Sequence, residues 1–123
     1  MSLARALACL SLVAVLCAQP NPERFELRKT VQHELAGGQS HSYTVRLEAG
    51  QFLHAVVTQL GVDVLLRLFG PDGQKLAEVD TIASSVGSEP LFWVAQATGD
   101  YRLEVNAKNP AANPGRYEIK LQP

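Results

Sequence analysis

The stretch Val62-Asp-Val-Leu-Leu-Arg-Leu-Phe-Gly-Pro-Asp-Gly-Gln-Lys-Leu-Ala-Glu-Val-Asp80 carries the pattern from which the fold is read. Val64, Leu66 and Leu68 alternate with Leu65, Arg67 and Phe69, and a period of two places one set on each face of a β-strand. Pro71 is preset for the second position of a β-turn, and Gly73 is free to take a left-handed conformation beyond it. A hairpin of strands 62–69 and 75–80 is expected.

The same alternation recurs on both sides of this stretch. Tyr43, Val45 and Leu47 form one apolar set, followed by Leu53, Ala55 and Val57. After the hairpin come Leu91, Trp93 and Ala95, then Tyr101, Leu103 and Val105, and finally Tyr117, Ile119 and Leu121. Turn chemistry separates the runs at Gly37-Gly38, Ala49-Gly50, Leu60-Gly61, Thr98-Gly99 and Asn113-Pro114-Gly115. No stretch shows the sustained three- and four-residue recurrence of an amphipathic helix. The sequence therefore predicts an all-β fold, a jelly-roll-like antiparallel β-sandwich of seven or eight strands.

One register is constrained by parity. A two-residue loop at Gly37-Gly38 would set the apolar residues of its two flanking strands on opposite faces and expose half the core. Either the loop runs from Ala36 to Ser40, pairing Leu35 with His41 and Val31 with Val45, or the two strands lie in different sheets.

The chain has 123 residues, 46% apolar and 19% charged, which suits one compact domain. Residues 1–18 read as a secretory signal peptide: Arg5 is the only charge, an apolar run follows, and Leu16-Cys17-Ala18 precedes Gln19-Pro20. The run is shorter than the roughly 20 residues of a membrane span, and Leu16 before Cys17 disfavours lipidation. A secreted or periplasmic location is expected, with no membrane span after signal removal. Residues 19–29 are expected to form a flexible N-terminal segment or a loosely attached first strand, and 30–122 the domain. Both cysteines, Cys9 and Cys17, fall in the leader, so the mature domain has no thiol chemistry. The formal charge of −1 becomes more negative once Arg5 is removed, which disfavours nucleic acid as a partner.

Candidate chemistry is sparse. His33, His41 and His54 offer imidazoles but no short-range pair in sequence, and parity puts His54 outward with Phe52 and Thr58. Asp63, Asp72, Asp80, Glu89 and Asp100 fall at strand ends and turns, where β-sandwich loops can gather oxygens around Ca²⁺, but without the dense spacing of a calcium loop. Ser84-Ser-Val-Gly-Ser88 reads as a flexible polar connection, with no nucleophile elbow or phosphate loop. No catalytic, cofactor-binding or metal-ligating residue is assigned, and calcium is the one cofactor left open. In Leu91-Phe-Trp-Val94, an inward Trp93 leaves Phe92 and Val94 outside. Coverage by the N-terminal segment through Phe25 and Leu27 is expected ahead of a bare binding patch.

Leu35-Ala-Gly-Gly-Gln-Ser-His-Ser-Tyr43, Leu47-Glu-Ala-Gly-Gln-Phe-Leu53, Asp63 to Gly73 and Gly99-Asp-Tyr-Arg-Leu-Glu-Val105, in that order, resemble the bacterial pre-peptidase C-terminal domain family. The version they are most similar to stands ahead of tetratricopeptide repeats and a CHAT peptidase domain. The resemblance covers about Thr30 to Leu121. It implies a non-catalytic accessory, targeting or binding module beside secreted enzymes, with a protein or polysaccharide partner. Some relatives bind calcium, and related collagenase modules attach to protein fibres; Glu23, Glu26 and Glu34 do not match the acidic calcium linker of those modules. With the chain ending at Pro123, either a free-standing module or a truncated gene product is expected, and the peptidase activity of relatives is not expected to transfer. Oligomeric state is not encoded in any of these motifs.

Overall fold

The computed structural model describes residues 23–24, 29–80 and 84–122, with backbone only at 23–24. The expectations for the 1–18 leader and for Phe25 and Leu27 lie outside the described residues. The strands are β1 (Glu23–Arg24), β2 (Thr30–Leu35), β3 (Ser40–Leu47), β4 (Phe52–Leu60), β5 (Val64–Phe69), β6 (Lys75–Val79), β7 (Val86–Val94), β8 (Gly99–Ala107) and β9 (Gly115–Gln122). They form two stacked sheets, one in the order β1-β3-β8-β5-β6 and the other β2-β9-β4-β7. Among the described residues the strands pair antiparallel except for the two-residue contact of β1 with β3, and Gly61 makes an isolated parallel bridge to Arg116. This is the expected β-sandwich.

Alternation decides what lies between the sheets. Tyr43, Val45 and Leu47 of β3 are buried against Leu53, Ala55 and Val57 of β4 and Tyr117, Ile119 and Leu121 of β9, with Leu66, Leu68, Leu103 and Val105 completing the filling. Each buried Val, Leu and Ile among them contributes about 1.5–3 kcal/mol by leaving water, so the filling between the sheets holds the two layers together. The β5–β6 hairpin turns as expected: the Gly73 amide donates to the Gly70 carbonyl at 2.9 Å, and Gly73 adopts a φ of 84°.

β2 and β3 do not form a hairpin. β2 pairs with β9 in one sheet and β3 with β8 in the other, which is the second of the two solutions that parity allowed. The link crosses between layers in a tight turn, where the Gln39 amide donates to the Ala36 carbonyl at 3.1 Å. Gly37 is required there for space: its amide donates to the Ala112 carbonyl at 3.0 Å, and a Cβ would collide with the Pro110 carbonyl.

The expected loop from Ser84 to Ser88 is corrected in its second half. Val86, Gly87 and Ser88 belong to β7 and pair with Leu60, Gln59 and Thr58 of β4. The serines and the glycine of this stretch suggest a loop, yet the ladder needs only the backbone, and the Ser88 hydroxyl reaches the Thr58 hydroxyl at 3.3 Å.

Candidate interaction surface

The outer strip of β5, β6 and β8 and that of β4 and β7 differ in kind, the latter bordered by the charged Arg116, Glu118 and Lys120 of β9. On the β5–β6–β8 side, Arg67 Nε meets Glu78 at 2.7 Å, Arg102 meets Glu104 at 2.7 Å, and the Arg102 guanidinium lies 4.1 Å over the Phe69 ring. The charges there are paired and the aromatic ring is covered. On the outer face of β4 and β7, register sets Phe52 beside Val94, His54 beside Phe92, Val56 beside Pro90, Thr58 beside Ser88 and Leu60 beside Val86. No side chain in that strip carries a fixed charge.

The large exposed hydrophobic side chains among the described residues all fall in this strip: Phe52, Phe92 and Val94 at 55% exposure each, Leu60 at 45% and Val86 at 67%. The rings stand side by side. Phe92 stacks on His54 at 4.3 Å and on Phe52 at 5.9 Å. Alternation made Phe52, His54, Phe92 and Val94 legible as outward residues, and the ladder adds Leu60 and Val86 to them. β1 pairs with β3 in the opposite sheet, and Phe92 and Val94 are more than half exposed; the expected cover by Phe25 and Leu27 lies outside the described residues.

Around the margin of the strip, on the inner side of β7, a cleft of about 290 Å³ opens between the β5–β6 turn and the segment after Val94. Its walls include Trp93, Leu76 and Tyr101, with Asp72, Gln74 and Gln96 also lining it. The Tyr101 hydroxyl is committed to the Ala97 carbonyl at 2.6 Å.

The remaining candidates are brought together in ways that sequence spacing hides. His33 of β2 and His41 of β3, with no short-range pair in sequence, face each other across the layers with ring centroids 5.3 Å apart. The His41 Nδ1 lies 2.6 Å from the Tyr117 hydroxyl, which in turn meets the Tyr43 hydroxyl at 2.5 Å. Burial, and secondly the charge of His33, hold His41 below the usual imidazole range. His54 is separate, on the outer strip.

The carboxylates divide between the two ends of the sandwich. Asp72 caps its own turn by accepting the Gln74 amide at 3.0 Å, and Asp100 lies 3.7 Å from Arg46. At the opposite end Asp80 holds Lys108 at 2.9 Å. Burial pushes Asp63 up, Lys108 opposes this, and Asp80 and Glu89 add to it. Glu89 points inward and is fully buried. Among the described residues, no three His, Cys, Asp or Glu side chains gather as a metal-holding group.

The chain shares this architecture with known proteins. It superposes on the pre-peptidase C-terminal domain of the collagenase from Bacillus anthracis with a TM-score of 0.68 at 19% identity, covering 83% of this chain and 95% of that one. It also superposes on PliG of Aeromonas hydrophila, a periplasmic inhibitor of g-type lysozyme, with a TM-score of 0.62 at 15% identity, covering 82% and 96%. PliG of Salmonella Typhimurium gives 0.57 at 20% identity, covering 82% and 96%. Identities this low speak to the fold alone. No curated protein matches the sequence. Residues 39–107, more than half of the chain, match a single family, and the protein belongs to it: the bacterial pre-peptidase C-terminal domain family.

Proposed function

We propose that this protein is a secreted or periplasmic accessory module without catalytic activity, which acts by holding another protein against the outer face of β4 and β7. The observation that carries this is the collection of Phe52, Leu60, Val86, Phe92 and Val94 in one uncharged strip. A contiguous apolar surface costs solubility unless something covers it, and such surfaces mark protein contacts. The family name places such domains beside peptidases, and the PliG proteins show the same fold serving a periplasmic inhibitor of an enzyme.

A photo-crosslinking residue placed at Phe92, and at Arg67 on the opposite face as control, tests the proposal in the bacterium that makes the protein. A discrete protein adduct from position 92, absent from position 67 and absent when Phe52→Ser is introduced beside the crosslinker at 92, is expected. Equal labelling from both faces, no adduct from 92, or sedimentation of the purified domain with insoluble polysaccharide in a Phe92-dependent way would overturn it.

A further inference from the structure

The backbone of β7 shows how a partner would be held. Among the described residues β7 is the last strand of its sheet, with no strand paired to its outer side. At one end of its ladder with β4 the Ala95 amide donates to the Gln51 carbonyl at 2.9 Å, and at the other the Gly61 amide donates to the Ser85 carbonyl at 2.9 Å. In a regular antiparallel pair the residues alternate in the side to which they turn their N–H and C=O groups. Odd-numbered residues of β7 therefore bond to β4. The even-numbered ones, Val86, Ser88, Pro90, Phe92 and Val94, turn theirs to the open side.

Edge strands are normally blunted by charge, irregularity or brevity. β6 is five residues long, carries Lys75 and Glu78, and shifts register against β5 at Leu68/Phe69. β2 carries Gln32 and Glu34 outward, and β1 has two residues. β7 runs for nine residues in unbroken register with no outward charge. Its protection is Pro90, which lacks an N–H at an outward-bonding position and so interrupts any added strand there. Beyond Pro90, Phe92 and Val94 remain as consecutive outward donors and acceptors.

The two sides of this short edge match an extended peptide. Phe92 and Val94 stand on the outer apolar strip, and between them Trp93 points to the inner side, where the 290 Å³ cleft opens. The open apolar side chains are confined to the adjacent strands β4 and β7, and Arg116, Glu118 and Lys120 of β9 border them beside Leu60, Thr58 and Val56, so the apolar footprint is one strand pair wide. A short strand fits this footprint better than a second copy of the domain.

We infer that the free edge of β7 from Leu91 to Val94 receives an extended, uncharged segment of a partner protein as an added β-strand. The segment bonds to Phe92 and Val94, lays aliphatic side chains on the outer strip, and places an aromatic side chain opposite Trp93 in the cleft. Main-chain bonding supplies affinity and the alternate sites supply specificity. This rests on the proposal that the β4–β7 face meets a protein, and names the form the contact takes.

The test is selection of a displayed library of random seven-residue peptides on the purified domain, followed by binding of the enriched peptides to variants. Val94→Pro removes an outward N–H that the ladder with β4 does not use, at a position equivalent to that of Pro90, and its thermal melt verifies folding. Val94→Ala removes the side chain and keeps the N–H. Enrichment of uncharged alternating sequences with a central aromatic residue is expected, with affinity about tenfold lower in Val94→Pro than in Val94→Ala. No enrichment, charged or unpatterned sequences, or equal binding to the two variants overturns strand addition. If equal binding is accompanied by loss in Phe92→Ser, the face contact stands without it; if Phe92→Ser also binds fully, both proposals fall. A concentration-dependent dimer in sedimentation velocity that Val94→Pro abolishes would overturn the assignment to a foreign segment in favour of a second copy.

Discussion

Leu91 and Phe92 are adjacent in β7 and lie on opposite sides of it, so truncating each to alanine separates the interior from the outer strip. Leu91 is 1% exposed and sits in the core against β4, paired beside Ala55. Leu91→Ala loses the transfer energy of its methyl groups and leaves a cavity, a cost of 2–5 kcal/mol in buried sites, with about 3 kcal/mol expected in this close-packed sandwich. At 4–8 °C per kcal/mol for a domain of this size, the melting temperature falls by about 12–24 °C. Phe92 is the larger side chain but is 55% exposed, and it gives up chiefly its ring contacts with His54 and Phe52. Cross-strand pairs of that kind are worth about 0.2–1 kcal/mol, so Phe92→Ala is expected to shift the melt by only a few degrees. Urea unfolding followed by the fluorescence of Trp93, the sole tryptophan, gives both values in one assay. A cost for Phe92→Ala equal to that of Leu91→Ala would refute the assignment of faces. It would mean that Phe92 is covered and serves the fold.

Other expectations follow from the interior and the turns. Because the folded state holds His41 below the imidazole value of the unfolded chain, the unfolded chain binds the extra proton first. Stability therefore declines as pH falls below about 6.5 and levels off once the folded His41 is protonated. Melting temperatures from pH 8 to 5 should show this slope in the wild type and a shallower one in His41→Gln; an unchanged slope would remove His41 as its source. Gly73→Ala places a side chain at φ 84° in open space and should cost about 1 kcal/mol. Gly37→Ala drives a Cβ into the Pro110 carbonyl and should cost more, an order that chemical denaturation would check and that equal costs would contradict. Millimolar Ca²⁺ followed by a chelator should leave the melting temperature unchanged, since a ligand specific to the native state would raise it by mass action.

The strands were legible because alternation is a local signal. Val64, Leu66 and Leu68 declare their face without knowledge of any neighbour, and so do Leu91 and Phe92. The order of strands in the sheets is set by contacts between distant segments, and local pattern is silent about it. Parity at Gly37-Gly38 narrowed β2 and β3 to two arrangements, and only the pairing of β2 with β9 selects between them. The approach of His33 to His41, and of Asp63 to Asp80 and Glu89, depends on the same long-range order. The outer strip was half visible for this reason: Phe92 and Val94 read as outward residues, while their continuity with Phe52, Leu60 and Val86 exists only in the β4–β7 register.

Thermal melting and photo-crosslinking of one protein, the Phe52→Ser/Phe92→Ser double variant carrying the crosslinker at Val94, set folding against contact. A melting temperature within a few degrees of the wild type, together with loss of the discrete adduct that the same crosslinker gives in the wild-type background, is the result expected of a surface kept for a partner. A collapsed melt, or an adduct that persists undiminished, would show that these rings serve the sandwich itself or that the partner is held elsewhere.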